Sequence, residues 1–227
     1  MRNLDNFRNI HKGKDIYVVA SGPSLDYINK SFFDNKITIG INQIYKKVKV
    51  NYLVRKESEI IDEIFKTCDK NTVHFVSKGS HGGPVNNIKL KYFVQKYNKN
   101  NNIVLYNHNI NKLEMPDVLP KDGLVTSYST ITTGIHLAAV MGAKNIILVG
   151  HDCGTLDNKC NAKNYHTKET ISIVWKNGES DYRKWLPKIE SHTIKLKGIL
   201  KKDFNCEVYS LNPFINFNLE GHKYSKT

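Results

Sequence analysis

Residues 122–155, DGLVTSYSTITTGIHLAAVMGAKNIILVGHDCGT, constrain the fold more than any other part of the chain. The stretch opens as a polar loop carrying Ser127, Ser129, Thr130, Thr132 and Thr133. Apolar residues at 135, 137, 138 and 141 then keep helical spacing, and Gly142 stops the helix. Residues 146–149 are an unbroken apolar run, as a strand covered on both faces requires, and the strand ends in Gly150-His151-Asp152. A helix that begins among hydroxyl residues offers free N–H groups and the positive end of its dipole, which suits a phosphate or carboxylate. A His–Asp pair just past a strand end sits where open α/β sheets place ligands. One unit therefore supplies both an anion cradle and an acid/base pair.

The rest of the chain extends this pattern. Apolar runs predict strands at 15–20, 36–41, 52–54, 73–76, 103–106 and 206–211, and helical spacing recurs at 58–66 and 187–201. The first strand runs into Ser21-Gly22-Pro23-Ser24, where Gly22 permits close backbone approach and Ser21 or Ser24 can cap the next helix. This fits an ordinary strand-to-helix turn or the first phosphate-binding turn of a nucleotide-binding fold, although it lacks the full GxGxxG or GxxxxGK[ST] pattern. The second strand ends in Asn42-Gln43, amides that can read a base or ribose or simply form a turn. The Gly-rich 78–84 is either a rim over a site or a plain connector. Residues 156–182 are polar and aperiodic, with Tyr165, His166 and Trp175, and read as a lid. Strands alternating with helices predict an α/β, Rossmann-like, mostly parallel sheet with helices on both faces. We expect one domain, its core at 14–155 and 187–213 and its lid at 156–186.

At 227 residues and 40% hydrophobic content the chain can bury a full core. Its formal charge of +13 comes from thirty Lys and only four Arg, amid abundant Asn and Ile, so it reflects compositional bias as much as a polyanionic partner. Nucleotides, acidic glycans and anionic lipid headgroups all suit such a surface, whereas no basic stretch interleaves the aromatics that nucleic acid favours. The four cysteines form neither a CxxC pair nor a zinc spacing. The polar N-terminus has no signal-peptide pattern, and no run approaches the roughly 18 apolar residues of a membrane span. A soluble, reduced, cytoplasmic protein is the expectation, with peripheral contact at an anionic membrane and oligomerisation both left open.

Two blocks carry a resemblance to known families. VVASGPSLD with INQIY, together with TTGIHLAAVMGAKNIILVGHDCG, resembles the MptE-like group (domain of unknown function 115), which includes archaeal 6-hydroxymethylpterin diphosphokinases and proteins of flagellin and surface-glycan glycosylation. More distantly, the same blocks are similar to small bacterial sialyltransferases that use CMP-sialic acid. The resemblance implies that Ser21, Gly22, Pro23, Ser24, Asn42 and Gln43 hold the nucleotide, and that Thr132, Thr133 and Gly134 face its phosphate or the donor sugar. Asp152 would stand near the reacting centre. The chain departs from the sialyltransferase pattern at three places: Thr130 replaces the arginine that meets the sialic-acid carboxylate, Gly154 replaces a tyrosine that helps the phosphate leave, and His192 falls a few residues late for the catalytic histidine, in whose region stand residues 185–188.

Inverting sugar transfer needs a base for the acceptor hydroxyl and a group that stabilises the departing phosphate. His151 is the best-placed base on sequence grounds, which predicts that His151→Ala abolishes turnover; His166 and His192 compete with it. Asp152 is either an orienter for a histidine or, with Asp157, a ligand for Mg²⁺ on a diphosphate. The leading expectation is a glycosyltransferase moving a sugar from a nucleotide donor, CMP-linked among the options, to a glycan or other acceptor without a required cofactor. The alternative is an Mg²⁺-dependent diphosphokinase acting on a pterin-type alcohol, and a third is a non-catalytic basic binding module.

Overall fold

The computed structural model describes residues 2–55, 63, 66, 68–80, 83, 84, 92, 94–97, 102–107, 114–154, 156, 159–165 and 179–211, with 79, 80, 83, 84 and 179–184 described by backbone alone. The strands are β1 (Asp15–Val19), β2 (Ile37–Ile41), β3 (Tyr52–Arg55), β4 (Val73–Ser77), β5 (Gly79–Ser80), β6 (Gly83–Pro84), β7 (Ile103–Tyr106), β8 (Asn145–Val149) and β9 (Glu207–Ser210). Seven form one sheet in the order β7-β4-β3-β2-β1-β8-β9, every pairing parallel. β5 and β6 make a separate two-stranded antiparallel ribbon. The chain steps outward from β1 to β7 and then returns to lay β8 on the free side of β1. That reversal opens a crevice at the carboxyl ends of β1 and β8, where doubly wound sheets bind ligands.

Alternate residues of each strand serve different faces. Val18, Ile39, Val54, Phe75 and Leu148 join one buried cluster with helix α1 (Thr130–Val140) and with Leu196 and Leu200 of helix α2 (Glu179–Phe204). Val19, Leu53, Ile147 and Val149 face the other way, under short 3-10 turns that supply Leu25, Phe33 and Ile44 and under Ala162 and Tyr165. Both faces are thus covered, as the unbroken apolar strands require. Gly134 brings α1 down onto the sheet: a Cβ there would lie 2.6 Å from Ile41 Cδ1 and 3.1 Å from Val18 Cγ1.

Three elements depart from the sequence reading. α1 begins at Thr130, five residues before its apolar period becomes visible, with Ser129 as N-cap accepting from the Ile131 N–H. Thr132 and Thr133 are poor helix formers, but here their hydroxyls are bonded to Ser129 O and Thr126 Oγ1. α2 is far longer than 187–201, and Pro187, expected at a first turn, lies inside it. The N-terminal lead, read as merely polar, buries Leu4 and Phe7 in the core and clasps the α1–β8 turn through Asn9 N–H to Val140 O, His11 N–H to Met141 O and Gly13 N–H to Gly142 O. Most of the helix expected at 58–66 lies outside the described residues, as do His166, Asp157, Trp175 and the central part of the expected lid. Among the described residues no helix is long and apolar enough to cross a membrane.

Candidate active site

Val19 pairs with Val149, so the chain leaves β1 and β8 side by side. The Gly22 N–H donates to Gly150 O at 2.6 Å, and Gly150 adopts a positive φ of 64°. Asp152 then folds over the β1 turn: the Ser24 N–H donates to Asp152 Oδ2 at 2.8 Å and the Ser24 hydroxyl donates to Oδ1. Only glycine fits at 22, because a Cβ would stand 2.5 Å from both Asp152 Oδ2 and Gly150 O. Asp152 is 3% exposed, and burial raises its carboxyl above the usual range although both Ser24 bonds pull the other way.

The opposite rim of this turn is already built. Ser21 Oγ donates to Asn161 Oδ1 at 2.9 Å, the Ala162 N–H donates to Ser21 O at 2.7 Å, and Tyr165 Oη donates to Gln43 Oε1 at 3.2 Å. Asn42, in a left-handed conformation with φ 54°, gives its N–H to Val54 O at 3.0 Å. Residues 160–165, assigned by sequence to the start of a lid, therefore form a fixed wall over the Ser21–Ser24 turn and the end of β2.

His151 points into the protein. It is 6% exposed, and its Nε2 lies 2.8 Å from Thr193 Oγ1 on α2. The Thr193 hydroxyl donates to Ile189 O at 2.9 Å, so Nε2–H is the donor to Thr193. Burial pushes its pKa down to about 4. The Cys153 thiol, 3.4 Å from the same nitrogen, is pushed up by burial and then by Glu190 and Asp152, which leaves it protonated.

His192 is different. It stands one residue before Thr193, half-buried, with Nδ1 hydrogen-bonded to Ser127 Oγ. Ser127 is itself fixed, since its N–H donates to Thr132 Oγ1 at 3.2 Å and its Oγ accepts from the Tyr128 N–H at 2.6 Å. The loop before α1 is anchored below by His136, whose Nδ1 accepts from the Val125 N–H at 3.0 Å. Burial first, then Lys195 and Lys188, lower the His192 pKa, with Glu114 opposing them, so the ring is neutral near pH 7. Tyr128 stacks on Trp185 with centroids 5.0 Å apart and lies 4.9 Å from the His192 ring.

No protein-family model matches the chain, and no curated protein matches it in sequence. Solved structures do. The sialyltransferase CstII from Campylobacter jejuni, in complex with cytidine-5'-monophosphate, superposes with a TM-score of 0.54 at 14% identity, over 92% of this chain and 85% of that one. CstII with a trisaccharide acceptor and CMP gives 0.51 at 15% identity, over 93% and 89%. The monofunctional α-2,3-sialyltransferase Cst-I from the same organism gives 0.51 at 13%, over 88% and 76%. The chain has the fold of these sialyltransferases.

Of the residues expected at the site, Gly22, Pro23, Ser24 and Asp152 come together at the β1–β8 crevice, with Ser21, Asn42 and Gln43 along its wall. Thr132 and Thr133 are fully buried with their hydroxyls bonded to the loop, and Gly134 faces the sheet, so what they share is the building of the α1 N-terminus. Ser127 entered the sequence reading only as one hydroxyl of the loop before α1, and Tyr128, Trp185, Lys188 and Thr193, which adjoin or act on His192, carried no role in it. Tyr128 and Trp185 meet only because α2 lies against the loop before α1, and no local spacing announces that contact.

Proposed function

We propose that this chain is a glycosyltransferase that moves a sugar from a nucleotide-activated donor to the hydroxyl of a glycan-type acceptor, with His192 as the base. One observation carries the reading: a half-buried neutral histidine, fixed through Nδ1 by Ser127, adjoins Thr193, which bonds His151 just past the end of β8, in a sheet that shares its fold with a CMP-bound sialyltransferase. With Nδ1–H donated to Ser127 Oγ, Nε2 keeps its lone pair for the acceptor proton. The acceptor oxygen bonds to the anomeric carbon as the bond from that carbon to the nucleotide phosphate breaks, and the phosphate oxygen leaves with the electron pair. The positive end of the α1 dipole favours the charge that develops there. His151, the base expected from sequence, becomes a positioning residue that holds β8 against α2 beside His192.

The CMP-bound structure of the same fold makes a CMP-sugar the donor to try first. Thr130, in place of an arginine, leaves the sugar itself open. The rival reading, an MptE-like diphosphokinase, asks Asp152 to serve a magnesium ion, whereas Asp152 is buried with both oxygens bonded to Ser24. The test is a thermal-shift panel of CMP, CDP, UDP, GDP and ATP, each with and without Mg²⁺. A ligand at one hundred times its dissociation constant adds about 2.7 kcal/mol, a rise of roughly 5–10 °C for a chain of this size. Stabilisation by CMP without metal is the expected result. Stabilisation by ATP only with Mg²⁺ would replace this reading with the diphosphokinase, and silence across the panel would favour a binding module.

A further inference from the structure

Beside His192 lies an aromatic and cationic surface that the chemistry of transfer does not use. Trp185, Lys188 and His192 share one face of α2, at the three- and four-residue steps that bring side chains into line. Trp185 remains 40% exposed while stacked on Tyr128 at an interplanar angle of 28°. Lys188 Nζ sits 5.0 Å from the Tyr128 ring centroid and 5.4 Å from that of Trp185, and 3.4 Å from Tyr128 Oη. The rings hold the ammonium group in place, yet Lys188 stays exposed. An exposed indole braced by a second ring offers a flat apolar platform, and a braced cation at its edge offers one charge.

A saccharide ring fits that pairing, since its C–H face packs on an aromatic plane while its substituents point to the rim. Lys195, further along this face of α2, is paired with Asp117 at 2.6 Å, so Lys188 is the cation that the rings themselves hold. We infer that Tyr128, Trp185 and Lys188 form the acceptor subsite, with the acceptor's terminal sugar stacked on Trp185 and an anionic substituent of that sugar held by Lys188. This rests on the transferase reading for the word acceptor. The subsite itself is testable without turnover.

The probe is protein labelled with 5-fluorotryptophan, whose two ¹⁹F resonances belong to Trp175 and Trp185 and are assigned with Trp185→Phe. Free N-acetylneuraminic acid, glucuronic acid and glucose 6-phosphate are titrated against their neutral counterparts galactose and glucose, with no nucleotide present. The Trp185 resonance is expected to shift saturably with at least one acidic sugar and to need at least ten times more of the neutral one. Lys188→Gln is expected to erase that preference, and Trp185→Ala to abolish the heat of binding that calorimetry records for the parent protein with the same sugar, while leaving the melting temperature within about 2 °C. A Trp185 resonance that no sugar moves, or that acidic and neutral sugars move equally, overturns the inference. If Trp185 responds to the acidic sugars while no nucleotide stabilises the protein, the subsite stands and the transferase reading falls.

Discussion

Two histidines meet the same stretch of α2, His151 through its bond to Thr193 and His192 as the residue before it, and their surroundings differ. His151 ends β8, is buried, donates to Thr193 and titrates near 4. His192 lies one residue from Thr193, is half-buried, and is bonded through Nδ1 to Ser127, which in the proposed reading leaves Nε2 for substrate. Position relative to a strand end favoured the first; exposure favours the second. A polar group sealed inside the sheet edge spends its hydrogen bonds on the scaffold, and a polar group at the rim can spend one on a ligand.

The largest expected effect concerns stability in acid, because His151 is one of three such scaffold residues. His74, His136 and His151 are each held down to about 4, chiefly by burial, with Arg55 adding to the effect at His74 and Arg8 at His136. Their folded-state values lie below the unfolded value of 6.5, so their stabilising effect is complete above pH 6.5 and is lost as pH falls from there to about 4. Protonating His136 also removes the acceptor of the Val125 N–H and with it the anchor of the Ser127 loop. Urea unfolding followed between pH 7 and 4 should show uptake approaching three protons, a slope of about 4 kcal/mol per pH unit at its steepest. A flat profile would mean these imidazoles are not sealed in.

Next, His151→Ala should cost about 2–4 kcal/mol through the lost Thr193 bond and the cavity, lowering the melting temperature by roughly 5–10 °C. Nucleotide release per folded molecule should stay within a fewfold of the parent, which separates this histidine from a catalytic one. Gly22→Ala should cost about 1–3 kcal/mol, since its Cβ meets Asp152 and the Gly150 carbonyl, and should blunt the nucleotide thermal shift. Asp152→Asn, which sets an amide against a site that receives two Ser24 donors, should cost about 1 kcal/mol and leave magnesium without influence on nucleotide binding.

Much of the architecture was legible because buried parallel strands read as unbroken apolar runs, and all seven sheet strands were expected within one or two residues of where they stand. The Ser21–Ser24 turn and Gly150–Asp152 were legible as neighbours once their strands were placed in one sheet. What stayed hidden depends on long-range packing. Thr132 and Thr133 enter α1 because Ser129 and Thr126 satisfy their hydroxyls, and Pro187 is carried inside α2. Leu4 and Phe7, too few to show a period, join the core, where the Phe7 ring meets Phe75 and Tyr52 at 4.9 and 6.2 Å between centroids. The difference in burial between His151 and His192, on which the proposed choice of base rests, is something no spacing encodes.

The measurement that tests the account most directly is release of free nucleotide from the sugar nucleotide selected by the thermal-shift panel, in His192→Gln beside the parent protein. Turnover is expected to fall by about 10²–10⁴ with melting temperature and nucleotide affinity unchanged. Turnover within a fewfold of the parent would contradict it and remove His192 from the chemistry.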